Sequence, residues 1–521
     1  MLQDNITRST VRYPDSNAYR FLDRSMTYQQ LDRESNRLSR LLAELGVSRG
    51  DRVGIMLNRC METPLAVYAI MKAGAAFVPM DPDMPIARVS SLVQSCEMTL
   101  IVSTSAQRET LLAVAHDLNT PLVVINCEIA SLAETSEKGC SFIPLSAAQN
   151  FDHSALSVMG TSPSDIAYIM FTSGSTGAPK GIVHTHESGN AYARRSVKQY
   201  GITSEDVIGN HAPLHFDIST MGYLSSPFAG ACAVIIPDAY TRLPASMSQL
   251  MEDERMTIWY SVPFAIIQLM SRGGLESRNL EALRWVLYGG EPFAARHVRA
   301  LMDRLPAIRI SNVYGPAEVN QCTYYTVPSD ITGNEESISI GHVCEGSRVL
   351  IVDDQDRQIK RGETGELLIA SPTMMQGYYR RPELNRACFQ EVDGVRYYRS
   401  RDLASRGLDG LLYYHGRMDQ QVKIRGNRIE IDELENLVMQ DPAVEEAAAY
   451  AVSAGTEGER VEVSVLLTHR SELDTKRVLD QVAAVFPSYA RPEKIVVRSE
   501  FPRTTSGKID RRKLASDANV R

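Results

Sequence analysis

From about residue 50 to residue 240, short β-branched runs alternate with helix-like segments, and nothing else in this chain constrains its fold as strongly. The runs are Arg52–Met56, Ala76–Pro79, Thr99–Val102, Pro121–Ile125 and Ala231–Ile236. Strands and helices taking turns bury both faces of a sheet, which selects an α/β architecture with mainly parallel sheets. The pattern continues through a helix-like Pro244–Arg255 and strand-like Thr257–Tyr260 and Arg284–Tyr288. With 521 residues the chain exceeds one compact core, so at least two domains are expected.

Beyond Leu412–Arg417 the character changes. A polar Met418–Gln421 precedes Val422–Ile431, then a helix candidate at Asp432–Met439, a strand-like Val461–Leu467 and a helix candidate at Lys476–Phe486. This reads as a small α+β domain with its own pattern. The expected division is residues 1–417 and 418–521.

Net charge is −8 with 44% hydrophobic residues, which argues against a nucleic-acid or anionic-membrane binder. Met1–Arg8 lacks the apolar core of a signal peptide, and Ala66–Met80, the longest apolar candidate for a span, contains Lys72. The eight cysteines are scattered, none closer than thirteen residues to the next, so neither a zinc knuckle nor a disulfide framework is indicated. A cytoplasmic location is expected.

The stretch richest in chemistry is Tyr168-Ile-Met-Phe-Thr-Ser-Gly-Ser-Thr-Gly-Ala-Pro-Lys180-Gly181. A strand-like run empties into small hydroxyls and glycines, whose exposed N–H groups wrap a polyphosphate at close range. It is not the ordinary P-loop, because Lys180 follows Ala178-Pro179 and precedes Gly181 rather than Ser or Thr. Other segments stand out in order: Met26–Leu31, Met71–Asp81, Asn312-Val-Tyr-Gly-Pro-Ala-Glu318, Gly365–Ile369, Tyr398–Leu403, Gly416–Asp419 continuing through Gln421–Glu435, and Ser506–Arg511.

With these motifs in this order, nearly the whole chain resembles the adenylate-forming superfamily, and within it the amino-acid adenylation domains of peptide synthetases. The resemblance implies that ATP and Mg²⁺ are used to join a carboxylic acid to AMP. Two anions must then meet, so positioning and charge neutralisation are most of the catalysis. Thr172, Ser173, Gly174, Ser175, Thr176 and Gly177 are implied around the phosphates. Lys180 either adds a charge there or holds the loop through a local carboxylate. The resemblance gives Glu318 to Mg²⁺, Tyr314 and Asn312 to adenine, Asp402 to the ribose hydroxyls, and Arg417 to ribose or phosphate. Lys508 is implied as the main catalytic residue, bridging carboxylate and phosphate. Asp419 matches the hinge of a swinging C-terminal domain, and Gly426 a position beside the incoming pantetheine arm.

His215-Phe216-Asp217-Ile218-Ser219 narrows the acid. In amino-acid adenylating relatives this Asp receives the α-ammonium group; as plain chemistry, Asp217 could equally cap backbone N–H groups. The pocket positions fall on Phe216, Ile218, Met221, Phe264, Leu287, Gly289, Val313, Gln321 and Cys322. They carry no second charge and several bulky walls, which disfavours a charged side chain. Their order resembles stand-alone enzymes that activate L-proline on a carrier, so proline is expected first and alanine next, although Gln321 fits that pattern poorly. No carrier domain follows, so a phosphopantetheinylated carrier protein is expected in trans. Arg296, Arg299 and Arg304 on a helix candidate at Ala294–Arg304 offer a basic docking patch, or an ordinary solvated face.

Departures from the family pattern are Ala317 in place of Thr, and Ser400-Arg401 where Thr-Gly precedes the ribose Asp. Two rivals stay open. One is an acyl-CoA ligase forming a coenzyme A thioester; the other is a catalytically degenerate nucleotide-binding regulatory protein.

Overall fold

The apolar strand runs pair into large sheets, as their alternation with helices requires. The computed structural model describes residues 1–128, 134–172, 179–335, 338–419, 421–424, 427–453, 459–468, 472–503 and 509–519. Its contacts divide into two units. One comprises Met1–Pro82, Val93–Phe171 and Gly181–Met418; the other comprises Asp83–Leu92, Thr172–Lys180 and Asp419–Arg521.

Two sheets dominate the first unit. One orders His342–Val343, Thr323–Thr326, Arg309–Tyr314, Trp285–Gly289, Ile258–Ser261, Val207–Asn210, Cys232–Ile235, Asn17–Phe21 and Arg24–Thr27. From Arg309–Tyr314 across to Asn17–Phe21 the neighbours are parallel, with antiparallel strands added at both edges. The other sheet is parallel through Ala76–Pro79, Arg52–Met56, Leu100–Ser103, Leu122–Asn126 and Cys140–Pro144. The expected α/β class and mainly parallel sheets are therefore present. Strand bounds differ from the sequence reading by a residue or two, because hydrogen bonding rather than apolar content ends a strand.

Register decides what the first sheet presents. Tyr260 pairs with Leu287, Leu287 with Ser311, and Gly289 with Val313. Side chains alternate along a strand, so these five residues share one face. Trp259, Val286, Tyr288 and Ile310 belong to the opposite face and join a separate apolar cluster. Helix His186–Tyr200 covers the first face through Val197 and Tyr200. It starts where Thr185 accepts the Ser188 N–H and Ser188 returns a bond, and it stops at Gly201, whose φ of +57° ends the helix in the left-handed region.

A third, antiparallel sheet contains Arg348–Val352, Thr364–Ala370, Val395–Arg406, Phe389–Val392 and Leu412–Arg417. Its pairing sets Asp402 directly opposite Arg417. In the second unit Val422–Ile424 and Asn427–Ile429 form a hairpin. Strands Val444–Ser453, Glu459–Leu467 and Lys494–Arg498 form a sheet. Helices Ile431–Val438 and Thr475–Val485 contribute Leu434, Val438, Val478 and Val482 to the core shared with that sheet. No helix among the described residues is long and apolar enough to cross a membrane.

Candidate active site

The carboxyl ends of the parallel strands converge on Asn312-Val-Tyr-Gly-Pro-Ala-Glu318, the usual place for a ligand crevice in such a sheet. Tyr314 ends its strand with its hydroxyl donating to Asp402 Oδ2 at 2.5 Å, and Arg417 donates to Asp402 Oδ1 at 2.8 Å. Asp402 is only 5% exposed, so the two partners keep a buried carboxylate satisfied. Burial first, and the adjacent Asp402 charge second, push the Tyr314 hydroxyl far up, so it stays a donor. The Asn312 amide donates to the Ser339 carbonyl at 2.9 Å. The groups expected at adenine and ribose thus form one connected patch.

Glu318 is fully buried, and Tyr378 donates to its Oε1 at 2.8 Å. Its carbonyl accepts the Met375 N–H at 2.7 Å. Just before it, the Ala317 carbonyl accepts His184 Nε2–H at 3.0 Å. Burial lowers His184 to about 4, so the ring is neutral and acts as a fixed donor. Among the described residues no three His, Cys, Asp or Glu side chains gather as metal ligands. A single carboxylate suits Mg²⁺ only when phosphate oxygens and water complete its shell, which is how Mg²⁺ binds beside nucleotides. Thr172, at the mouth of the Ser/Gly loop, has a buried Oγ1 with no hydrogen-bond partner among the described residues, an arrangement that suits an incoming phosphate oxygen.

On the acid side, Met221, Leu287 and Val313 pack into one cluster with Tyr200 and Tyr260, and Ile218 lies against it. Asp217 is half-buried and one of its oxygens accepts the Ile218 N–H at 2.9 Å. Phe216 and Phe264 are half-buried as well. The Gln321 amide donates to the hydroxyl of Tyr200, a member of that cluster, at 3.1 Å. Cys322 packs in another cluster, with Val319, Ile182 and Tyr314. Gly289 is glycine for a steric reason, since a Cβ there would stand 2.5 Å from the Val313 carbonyl oxygen.

Other expected residues have local partners of their own. Within the second unit Lys180 Nζ lies 3.6 Å from Glu430, so the loop lysine does have a carboxylate partner. Asp419 opens the second unit's longest segment and accepts the Gln421 N–H at 3.4 Å. Arg299 pairs with Asp303 and donates to the Ser329 carbonyl, while Arg304 donates to the Met270 carbonyl at 2.7 Å. Arg296 and Arg304 are exposed and Arg299 is half-buried. Ser173, Gly174, Ser175, Thr176, Gly177, Gly426 and Lys508 lie outside the described residues.

Arg401, before Asp402, holds φ at +61°, in the left-handed region that favours glycine. Its N–H reaches Glu366 and its carbonyl accepts the Met418 N–H at 2.8 Å. An L-residue in that region costs about 1–2 kcal/mol.

A profile of the AMP-binding enzymes matches residues 6–379, and one of the AMP-binding enzyme C-terminal domain matches residues 433–508. The chain belongs to the AMP-binding enzyme family. The L-proline--[L-prolyl-carrier protein] ligase of Pseudomonas fluorescens is 30% identical to it over 517 residues, covering 99% of each chain. The enzyme of the same description from Streptomyces coelicolor is 28% identical over 502 residues, covering 95% of this chain and 93% of its own. In fold, it matches the Vibrio cholerae adenylation domain AlmE, solved with glycyl-adenosine-5'-phosphate, at a TM-score of 0.87 and 21% identity, over 100% of this chain and 98% of that one.

Within this AMP-binding enzyme, one organising residue escaped the sequence reading. Arg195 donates to the Gln321 carbonyl at 2.6 Å, the Glu345 carbonyl at 3.0 Å and the Ser347 hydroxyl at 3.0 Å. It also reaches Ser371 and Thr373, and Thr373 in turn holds the Val319 carbonyl. No spacing in the sequence marks it, because its partners lie on three remote segments.

Proposed function

We propose that this chain activates a small uncharged amino acid, L-proline first and alanine next, as aminoacyl-AMP, then passes it to the phosphopantetheine thiol of a separate carrier protein. The coarser statement stands by family: the chain is an amino-acid adenylating ligase that uses ATP and serves a carrier. The observation that carries the finer one is similarity over 99% of both chains to a proline-carrier ligase. The apolar face formed by Met221, Leu287 and Val313 supports it.

In the first step a carboxylate oxygen forms a bond to the α-phosphorus while the bond to pyrophosphate breaks. Asp217 is assigned the α-ammonium group, which fixes the acid's orientation and favours an amino acid over an acid without an amine. Tyr314 offers its face to adenine, and Asp402, held by Arg417, accepts from the ribose hydroxyls. Glu318 would hold Mg²⁺, which supplies charge neutralisation at the phosphates. Lys508 is assigned the positive charge at the reacting oxygens. In the second step the carrier's thiol sulfur bonds to the acyl carbon, loses its proton, and AMP leaves.

The test is amino-acid-dependent ATP–pyrophosphate exchange over L-, D- and β-amino acids and simple acids, followed by loading of carrier or coenzyme A. Exchange with proline or alanine, lost in Lys508→Ala, is expected. Exchange with simple acids alone, or thioester formation on coenzyme A without a carrier, would sink the reading in favour of an acyl-CoA ligase. No exchange with any acid would point to a degenerate binder.

A further inference from the structure

Tyr260 is absent from the expected pocket positions, yet it occupies the same sheet face as the pocket residues. Parallel register sets it beside Leu287, which is beside Ser311, with Gly289 and Val313 one pleat further along. Its ring shares the apolar cluster of Met221, Leu287 and Val313. Its hydroxyl reaches across the neighbouring strand to within 3.1 Å of where a Cβ on Gly289 would stand. It is 8% exposed. A tyrosine hydroxyl lying over a residue with no side chain takes up the space that a side chain there would need.

A Cβ on Gly289 would also stand 2.5 Å from the Val313 carbonyl oxygen, so this position stays glycine and Tyr260 supplies the bulk on this part of the face.

We propose that Tyr260 is the floor of the amino-acid pocket and sets the largest side chain the enzyme accepts. This rests on the amino-acid reading above and adds a residue that reading lacks. The ring limits depth, so small side chains are selected by exclusion of large ones. An apolar pocket discriminates by about 10–200-fold per methylene, so removing a ring should move preference measurably.

Tyr260→Val and Tyr260→Leu, both suited to a strand, test it by pyrophosphate exchange with alanine, proline, leucine and phenylalanine. The expected result is a rise of about tenfold or more in the kcat/KM ratio of leucine or phenylalanine over the best small substrate. A merely destabilised enzyme loses rate with every substrate alike and leaves that ratio unmoved. The two variants are paired so that one folded protein suffices. An unchanged ratio, or loss of exchange with every amino acid in folded variants, overturns the proposal. Wild-type enzyme that exchanges with no amino acid would instead overturn the amino-acid reading, so the two failures are separable.

Discussion

On the proposed reading, the acid side of this site is shaped by backbone, and the nucleotide side by side chains. Around Leu287, Gly289 and Val313, strand register and the closeness of adjacent chains dictate the surface. Around Asp402, three side chains from separate strands satisfy one another through hydrogen bonds. A change on the first side disturbs folding before it disturbs binding. A change on the second leaves the sheet intact and exposes an uncompensated polar group. The family's tolerance of many acids with one nucleotide sits well with this division, since side-chain cages are specific and sheet faces can be resurfaced.

The largest expected effect breaks the nucleotide side. Asp402→Ala leaves the Arg417 guanidinium and the Tyr314 hydroxyl without their acceptor, so kcat/KM for ATP should fall about a hundredfold, roughly 2.7 kcal/mol. Unaltered ATP kinetics would show that the cage is only structural.

Next comes pH. His184 is held neutral near 4 by burial, whereas in the unfolded chain it titrates near 6.5. Below about pH 6.5 the unfolded chain takes up a proton that the folded one refuses, so stability falls as pH drops towards 4, by on the order of 3 kcal/mol. His184→Gln should flatten that decline in a Tm-against-pH series; an identical slope would assign it to other groups. His186, also lowered to about 4 by burial, adds to the same window.

On the backbone side, Gly289→Ala drives a methyl against the Val313 carbonyl and should cost about 1–3 kcal/mol, seen as a lower Tm. A Tm equal to wild type would remove the contrast drawn above. The smallest effect is at Arg401. Arg401→Gly relieves the left-handed residue but adds freedom to the unfolded chain, for a net gain under about 1 kcal/mol. A clear loss of stability would mean the Arg401 side chain holds more than its exposed approach to Glu366.

Much of this was legible in the sequence. Alternating apolar runs indicated the α/β class, and the family resemblance assigned Tyr314, Asp402 and Arg417 to one nucleotide, residues that hydrogen bonds join in the structure. Tyr260 was not, because its place on the pocket face depends on strand register, which apolar periodicity leaves open. The sequence could not show that the Gln321 amide bonds to Tyr200, a partner on a helix more than a hundred residues earlier that packs with Leu287 and Val313. On the basic helix the sequence could not show that Arg299 and Arg304 also bond to nearby carbonyls. Linear spacing shows which residues coincide on a helix face, not which charges are already satisfied.

Arg195 makes the loop between Glu318 and Cys322 a fixture rather than a consequence of ligand binding. One guanidinium on a capped helix fastens three strands of chain that never meet in sequence. The enzyme can therefore exchange one pocket residue for another over evolutionary time without re-learning where its acidic metal-side residue stands. Chemistry and selectivity hang from a common bolt, and that bolt touches neither.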